Sequence, residues 1–376
     1  MQKIPAPFSI ITPNSHSLNW TMEAGVKVFR LTAEPIKREF APGFVVNCWG
    51  YNGQTPGPTI EVVEGDRVRI FVTNHLPEPT TIHWHGILLP SDMDGVTGLN
   101  QAPIQPGETF KYEFTIRQSA STHMYHSHYD EMTQIAMGLM GLFIIHPKNP
   151  IEEEKVDRDF AIMLHEWAIP IGAATPNPMV MLDFNYFTFN STVWPGTEPL
   201  IVKKGQKVRI RFANLSMNSH PIHLHGYEFT VVALGGKRLK PSAQYEAVTV
   251  NVPVGDTREI EFIANNPGDW ALHCHKSHHV MNGMEHEIPN MIGVQQETIE
   301  KQIKKILPDY MSMGTNGMGE MFNMGHSMKG PPNYLPLGSP GPFGTIEMSG
   351  MFTVVKVREN LSDYKDPGWY QSTSRP

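Results

Sequence analysis

The chain has only two cysteines, Cys48 and Cys274, so a disulfide framework cannot hold it together. At most one bridge is possible, and none forms if Cys274 serves elsewhere. No apolar run reaches the roughly 18 residues that a membrane-spanning helix needs. Positive charge is in deficit: 30 Lys and Arg stand against 37 Asp and Glu, a formal net charge of −7, with the basic residues dispersed. That excludes the basic stripe of a nucleic-acid binder. Helical periodicity is scarce, whereas Pro and Gly, 32 of each, recur at intervals suited to short strands. The opening MQKIPAPFSIITPNSHS lacks the charged and apolar regions of a signal peptide; a chain exported and then processed would read the same way. Hydrophobic residues at 40% and charged residues at 18% describe a globular protein, and 376 residues suffice for two ordinary domains.

The chain is instead rich in ligand-capable side chains, 18 His and 22 Met, and it repeats itself. Residues 51–86 and 189–226 each run through an aromatic-Asn turn, a Pro/Gly segment, an apolar strand, a Gly turn, a V-R-I strand and a final H-x-H-G. Residues 105–128 and 253–275 match in the same way, ending in HSH and HCH. TFKYEFTI and TREIEFIA alternate with period two, as half-buried antiparallel strands do. The expected fold is all-β: two β-sandwich domains, 1–155 and 156–376, the second opening at DRDFAIMLHEWAI.

Four pairs alternate as His-x-His: His83/His85, His126/His128, His223/His225 and His273/His275. Residues i and i+2 of a strand project to one face about 6–7 Å apart, so each pair can serve neighbouring metal ions. Imidazole suits copper, zinc, iron and nickel alike, and Cys274 narrows the choice. With His220, His279 and Met284 it can form a His₂Cys site with a weak axial thioether, the blue-copper arrangement. A lone H-x-H is weak evidence; four at matched positions, one straddling a cysteine, are not coincidence. His278 adjoins His279, but the spacing to Met284 selects His279. Ser127 stands opposite Cys274, and no first-half histidine matches His220 or His279. Cys48, in FVVNCWG, reads as a buried free thiol. His16, His75, His146 and His286 read as solvent or loop residues, and His165 is open between structural and functional roles.

On HWHG, HSH, HPIHLHG and HCHKSHHVMNGM the sequence resembles the multicopper oxidases, laccase-like enzymes that couple one-electron oxidations to four-electron reduction of O2. The resemblance covers most of residues 45–290 and is closest in kind to the two-domain laccase subgroup. It implies tandem cupredoxin-like Greek-key domains and four coppers per chain. Type 1 copper falls to His220, Cys274, His279 and Met284, and type 2 to His83 and His223. The type 3 pair falls to His85, His126, His128, His225, His273 and His275. Electrons are expected to arrive through His279 or His220 near the surface and to pass through Cys274. The resemblance assigns Asp94 to proton delivery near the type 2 copper, with Asp92 the weaker candidate. Val280 stands where some bacterial relatives carry a proton-relaying Glu, which removes that route. A homotrimer with clusters between subunits is implied, as is a periplasmic or secreted location. The implied reductants are phenolic or aromatic donors. The alternatives are a cuprous oxidase for copper tolerance, with Cu(I) as donor, and a non-catalytic copper-binding protein. A copper nitrite reductase would need its cysteine where Ser127 stands.

The chain continues past the motifs. Residues 297–308 read as an amphipathic helix. A Met-rich loop over about 309–330, with Met311, Met313, Met318, Met321, Met324 and Met328, reads either as a Cu(I) site or as padding. A closing strand is expected over about 344–358.

Overall fold

The structure is a computed structural model that describes residues 10–170, 172–283, 297–306, 308 and 338–371. Strands dominate, and they form two pairs of facing sheets that follow the sequence repeat. In the first half, one sheet runs Trp20–Glu23, Val26–Ala41, Arg67–Asn74, Thr109–Thr115, with Phe44–Tyr51 also on Val26–Ala41. Its partner runs Gly57–Val63, Met140–His146, Ser121–Ser127, Ile82–His85. Between them lie Phe29, Ile70, Trp84, Tyr112, Tyr125 and Phe143, all fully buried.

The second half repeats the plan. Arg158–Trp167 pairs in parallel with Lys207–Asn214, which pairs with Thr257–Ile263. The facing sheet runs Leu200–Lys203, Phe352–Arg358, Gly268–Cys274, His220–Leu224, Thr249–Val252. A further apolar cluster joins Phe40, Val46, Cys48 and Leu142 of the first half to Met163, Trp167, Tyr186 and Val193 of the second. Cys48 lies buried in it as a free thiol. Among the described residues no helix is long and apolar enough to cross a membrane.

Three expectations change. The strand expected over 344–358 is split into Gly344–Ile346, paired with Ser339–Gly341, and Phe352–Arg358. The break falls at Gly350, whose φ of +59° departs from extended backbone. Phe352–Arg358 is then central, inserted between Leu200–Lys203 and Gly268–Cys274. The helix expected over 297–308 spans Glu297–Ile303. The loop expected over about 309–330 lies outside the described residues.

The third change is at TREIEFI, which is buried on both faces, so Glu259 and Glu261 lie inside. The reason is that the first half covers the outer face of this sheet. Arg211 Nη1 donates to Glu259 Oε1 at 2.8 Å and its Nε to Asp159 Oδ1 at 2.7 Å. Arg209 donates to Glu261 at 2.6 Å. Thr122, on the first-half strand Ser121–Ser127, donates to Glu259 at 2.6 Å and accepts from Arg211 at 2.8 Å. Buried charges persist only when paired and hydrogen-bonded in this way.

Replacing Arg211 with methionine removes the nearest cation from Asp159 and Glu259 and leaves only the longer contacts of Arg209, 3.4 Å and 3.8 Å, an expected loss of about 3–5 kcal/mol in urea denaturation. Acid should act on the same network. Burial alone would raise the Glu261 carboxyl, but Arg209, Arg238 and Lys207 hold it at about 2. Its folded-state value thus lies below the unfolded one. That contribution is complete above the usual carboxylate range and is lost as pH falls toward 2. Stability unchanged between pH 5 and pH 3 would contradict this.

Candidate metal centres

Strand pairing assembles each histidine group. Ile82–His85 lies antiparallel to Ser121–Ser127 with His83 opposite His126. Ring centroids are 5.7 Å apart for His83/His85, 5.4 Å for His83/His126 and 5.5 Å for His83/His128. Ligand nitrogens of His83, His85 and His126 all lie within 4.8 Å of one another. In the second half His223 sits opposite His273. Its ring is 4.7 Å from His225, 5.7 Å from His273 and 5.6 Å from His275.

Backbone acceptors fix the ring faces. His83 Nδ1–H donates to Asp94 O at 2.9 Å, His126 Nδ1–H to Ser127 O at 2.8 Å, and His273 Nδ1–H to Cys274 O at 2.8 Å. His223 Nδ1–H donates to Val248 O at 2.6 Å. Each bond leaves Nε2 with a free lone pair, as a metal ligand requires. Burial and neighbouring imidazoles disfavour the charged form at two of them: His126 is lowered to about 3 and His273 to about 4, with burial the leading cause. The closing glycine of each H-x-H-G has a positive φ, +82° at Gly86 and +73° at Gly226. A Cβ there would meet His123 or Trp270 within 2.6 Å, so glycine is required on two counts.

Beneath the second group lies a different site. His220 begins the strand His220–Leu224, Cys274 ends Gly268–Cys274, and the short helix Ser277–Val280 supplies His279. Cys274 Sγ is 3.7 Å from His220 Nδ1 and 3.5 Å from His279 Nδ1, and the two nitrogens are 3.1 Å apart. All three residues are buried. Burial holds His279 down at about 3 and raises the Cys274 thiol to about 12. Two neutral imidazoles and a thiol that gives up its proton only to a cation fit a soft transition metal, copper included. His278 is exposed and Met284 lies outside the described residues.

Of His220 and His279, both expected near the surface, only His279 keeps any exposure. His220 is fully buried and His279 is 7% exposed, because the Phe187 ring stacks on His279 at 3.9 Å. His146 is likewise not a solvent residue: its Nε2 is 2.8 Å from Glu61 Oε2 inside the first half. His165 is buried against Trp167 with Nδ1 on Leu215 O, a structural role.

Sequence reading missed Glu166. Its Oε1 is buried without a hydrogen-bond partner, 3.6 Å from His220 Nε2 and 3.9 Å from His279 Nε2. Its Oε2 accepts from Met217 N at 3.1 Å and Asn218 Nδ2 at 3.2 Å. An acid in a strand as apolar as DFAIMLHEW was the available signal. An orphaned carboxylate oxygen facing the far nitrogens of both rings fits imidazoles that carry their proton there and present Nδ1 to a metal.

Comparison with known proteins identifies the family of the chain. Residues 33–150 and 171–292 match two family models, each described as multicopper oxidase. Copper resistance protein A of Escherichia coli is 29% identical over 340 residues, 74% of this chain and 53% of that protein. Laccase-2 of Botryotinia fuckeliana is 31% identical over 301 residues, 72% of this chain and 49% of that protein. The chain thus spans about half the length of these curated relatives. The crystal structure of the blue copper oxidase from Nitrosomonas europaea aligns with a TM-score of 0.65 at 27% identity, covering 88% of this chain and 85% of that one. With the cupredoxin-like sheets, the repeated histidine pairs and both family models in agreement, the chain belongs to the multicopper oxidases, a copper-using family.

Proposed function

We propose that the protein is a laccase-type oxidase that takes single electrons from phenolic or aromatic donors and reduces O2 to water. The chain divides near residue 155, and the working location is the periplasm or the cell exterior. The observation that carries the reading is covalent continuity. Cys274 belongs to the buried His₂Cys site, while His273 and His275 on either side of it belong to the histidine group on the opposite face.

His220, Cys274 and His279, with Met284 as axial ligand, would hold type 1 copper. His83 and His223 would hold type 2. His85, His126, His128, His225, His273 and His275 would hold the type 3 pair. Copper so held supplies one-electron oxidation at the first site and four-electron reduction of O2 at the cluster. The chain's own groups do the rest. Phe187 and the surrounding core keep water from His279, whose edge is the opening toward a donor. Glu166 orients the two type 1 imidazoles. Asp94 holds the His83 ring through its carbonyl, and its carboxylate oxygen, 3.4 Å from His83 Nδ1, is placed to pass protons.

Each half supplies four cluster histidines, and among the described residues no ring contact or ligand group joins the two fours. A homotrimer in which one copy's first half meets the next copy's second half completes each cluster by cyclic closure. Leu88, Leu99, Val248 and Val254 are exposed apolar residues that suit such a contact. Cu(I) as donor is the second reading, favoured by the methionines of 311–328 and by the likeness to a copper resistance protein.

Oxygen uptake by copper-loaded protein, with 2,6-dimethoxyphenol and separately with Cu(I), tests the proposal. Uptake unaffected by catalase is expected, faster with the phenol. A faster rate with Cu(I) selects the second reading, and no uptake from fully loaded protein overturns both. Light scattering of the active species should give a trimer, and an active monomer refutes the assembly. Glu166→Leu is expected to weaken copper at the Cys274 site about 10–100-fold in chelator competition, with loss of blue absorption. Deleting 311–328 should lower Cu(I) oxidation more than phenol oxidation.

A further inference from the structure

The two halves keep the same register where their chemistry differs. Ile82 pairs with Ser127 as Ile222 pairs with Cys274. Thr80, two residues before Ile82, therefore occupies the place of His220, and Ser127 that of Cys274. The turns leading in are also alike. Asn74 Nδ2 donates to Glu78 O at 2.9 Å, and Asn214 Nδ2 donates to Asn218 O at 2.8 Å. Leu76 N donates to Asn74 Oδ1, and Ser216 N to Asn214 Oδ1, each at 2.9 Å. After Cys274 a short helix brings in His279; after Ser127 the helix Glu131–Ala136 brings in Gln134.

Gln134 closes the first-half site with hydrogen bonds alone. Its Oε1 accepts from Thr80 Oγ1 at 2.7 Å and from Ser127 Oγ. Its Nε2 donates to Glu78 Oε1 at 2.6 Å and Pro79 O at 2.8 Å. Thr80, Ser127 and Gln134 are fully buried, so both ends of this amide are satisfied where no water competes. The amide ties the turn before His83, the link between His126 and His128, and the helix whose Glu131 carboxylate lies 3.6 Å from His126 Nδ1 and 3.4 Å from His128 Nε2.

We infer that Glu78, Thr80, Ser127 and Gln134 form a metal-independent lock, positioning residues that preset His83, His126 and His128 for copper. In the second half, His220, Cys274 and His279 occupy the corresponding place and, among the described residues, meet no such amide. The first-half histidines are then ordered before any metal arrives, whereas the 274–283 segment gains order with it. The copper arm of this inference rests on the proposed oxidase reading; the lock itself does not.

The test uses full-length Gln134→Glu and the Glu78→Gln/Gln134→Glu double variant. The single change sets two carboxylates against each other; the double change restores a donor opposite an acceptor between residues 78 and 134, while Pro79 O loses its donor in both. In metal-free protein, hydrogen exchange over 121–128 is expected to quicken about 10–100-fold in the single variant and to recover in part in the double. After copper loading, the single variant should lose the type 2 electron paramagnetic resonance signal and the matching copper count. It should keep the blue absorption of Cys274, and the double should regain both losses. In the parent protein, loading should slow exchange in 274–283 but not in 121–128. Unchanged exchange in the single variant, equal loss of blue absorption, or no recovery in the double would each overturn the lock. A parent protein that takes up no copper refutes the oxidase reading, and the metal-free exchange arm still decides the lock.

Discussion

The antiparallel register of His220–Leu224 against Gly268–Cys274 is the constraint on which the site depends. Successive side chains of a strand alternate faces, so the pairing Ile222↔Cys274 and His223↔His273 settles two sites at once. His220, Ile222, Leu224, Leu272 and Cys274 take the core face. His223, His225, His273 and His275 take the other. A slip of one residue would bring the thiol out beside the second histidine group and turn the paired imidazoles into the core. The apolar partners Ile222 and Leu272, both buried, oppose that slip. The hydrophobic pattern thereby enforces the metal-binding pattern.

Burial then prepares the ligands. Charged imidazolium is disfavoured wherever water is excluded, which accounts for the lowered values at His126, His273 and His279. Neutral rings still have two tautomers, and the acceptors at Asp94, Ser127, Val248 and Cys274 choose between them. All four acceptors are backbone carbonyls, which do not depend on side-chain identity. A sequence motif can therefore show the ligands while the groups that aim them stay invisible.

That division describes what was legible. The repeat announced two similar sandwiches, and H-x-H at matched positions announced the paired imidazoles, because both follow from period-two alternation. Glu166 stood out only as an acid in an apolar strand, since its meaning depends on a strand buried on both faces and on two rings from distant segments. TREIEFI read as half-buried because local alternation cannot show that the other half of the chain covers its outer face. His146 read as a loop residue because its partner, Glu61, is 85 positions away. Gln134 had no signal at all: an amide in a six-residue helix gains its role only from where Thr80 and Ser127 converge. The split of the closing strand at Gly350 was visible as MSGM but outweighed by the β-branched residues around it.

Long-range contacts of this kind converge on one element, the strand Ser121–Ser127. Thr122 is fastened to the second half through Glu259 and Arg211. His123 lies between Gly86 and Gly236, with its Nε2 on Ser121 Oγ at 2.7 Å, and substitution at either glycine would collide with it. Ser127, at the strand's end, is held by Gln134. His126 sits between these anchors and has no freedom to follow a misplaced ion. If copper closes the cysteine site as proposed, the geometry of the histidines is a property of the fold on one side and of loading on the other. Under the proposed oxidase reading, holding half of the histidines fixed narrows the range of positions the remaining ones must find.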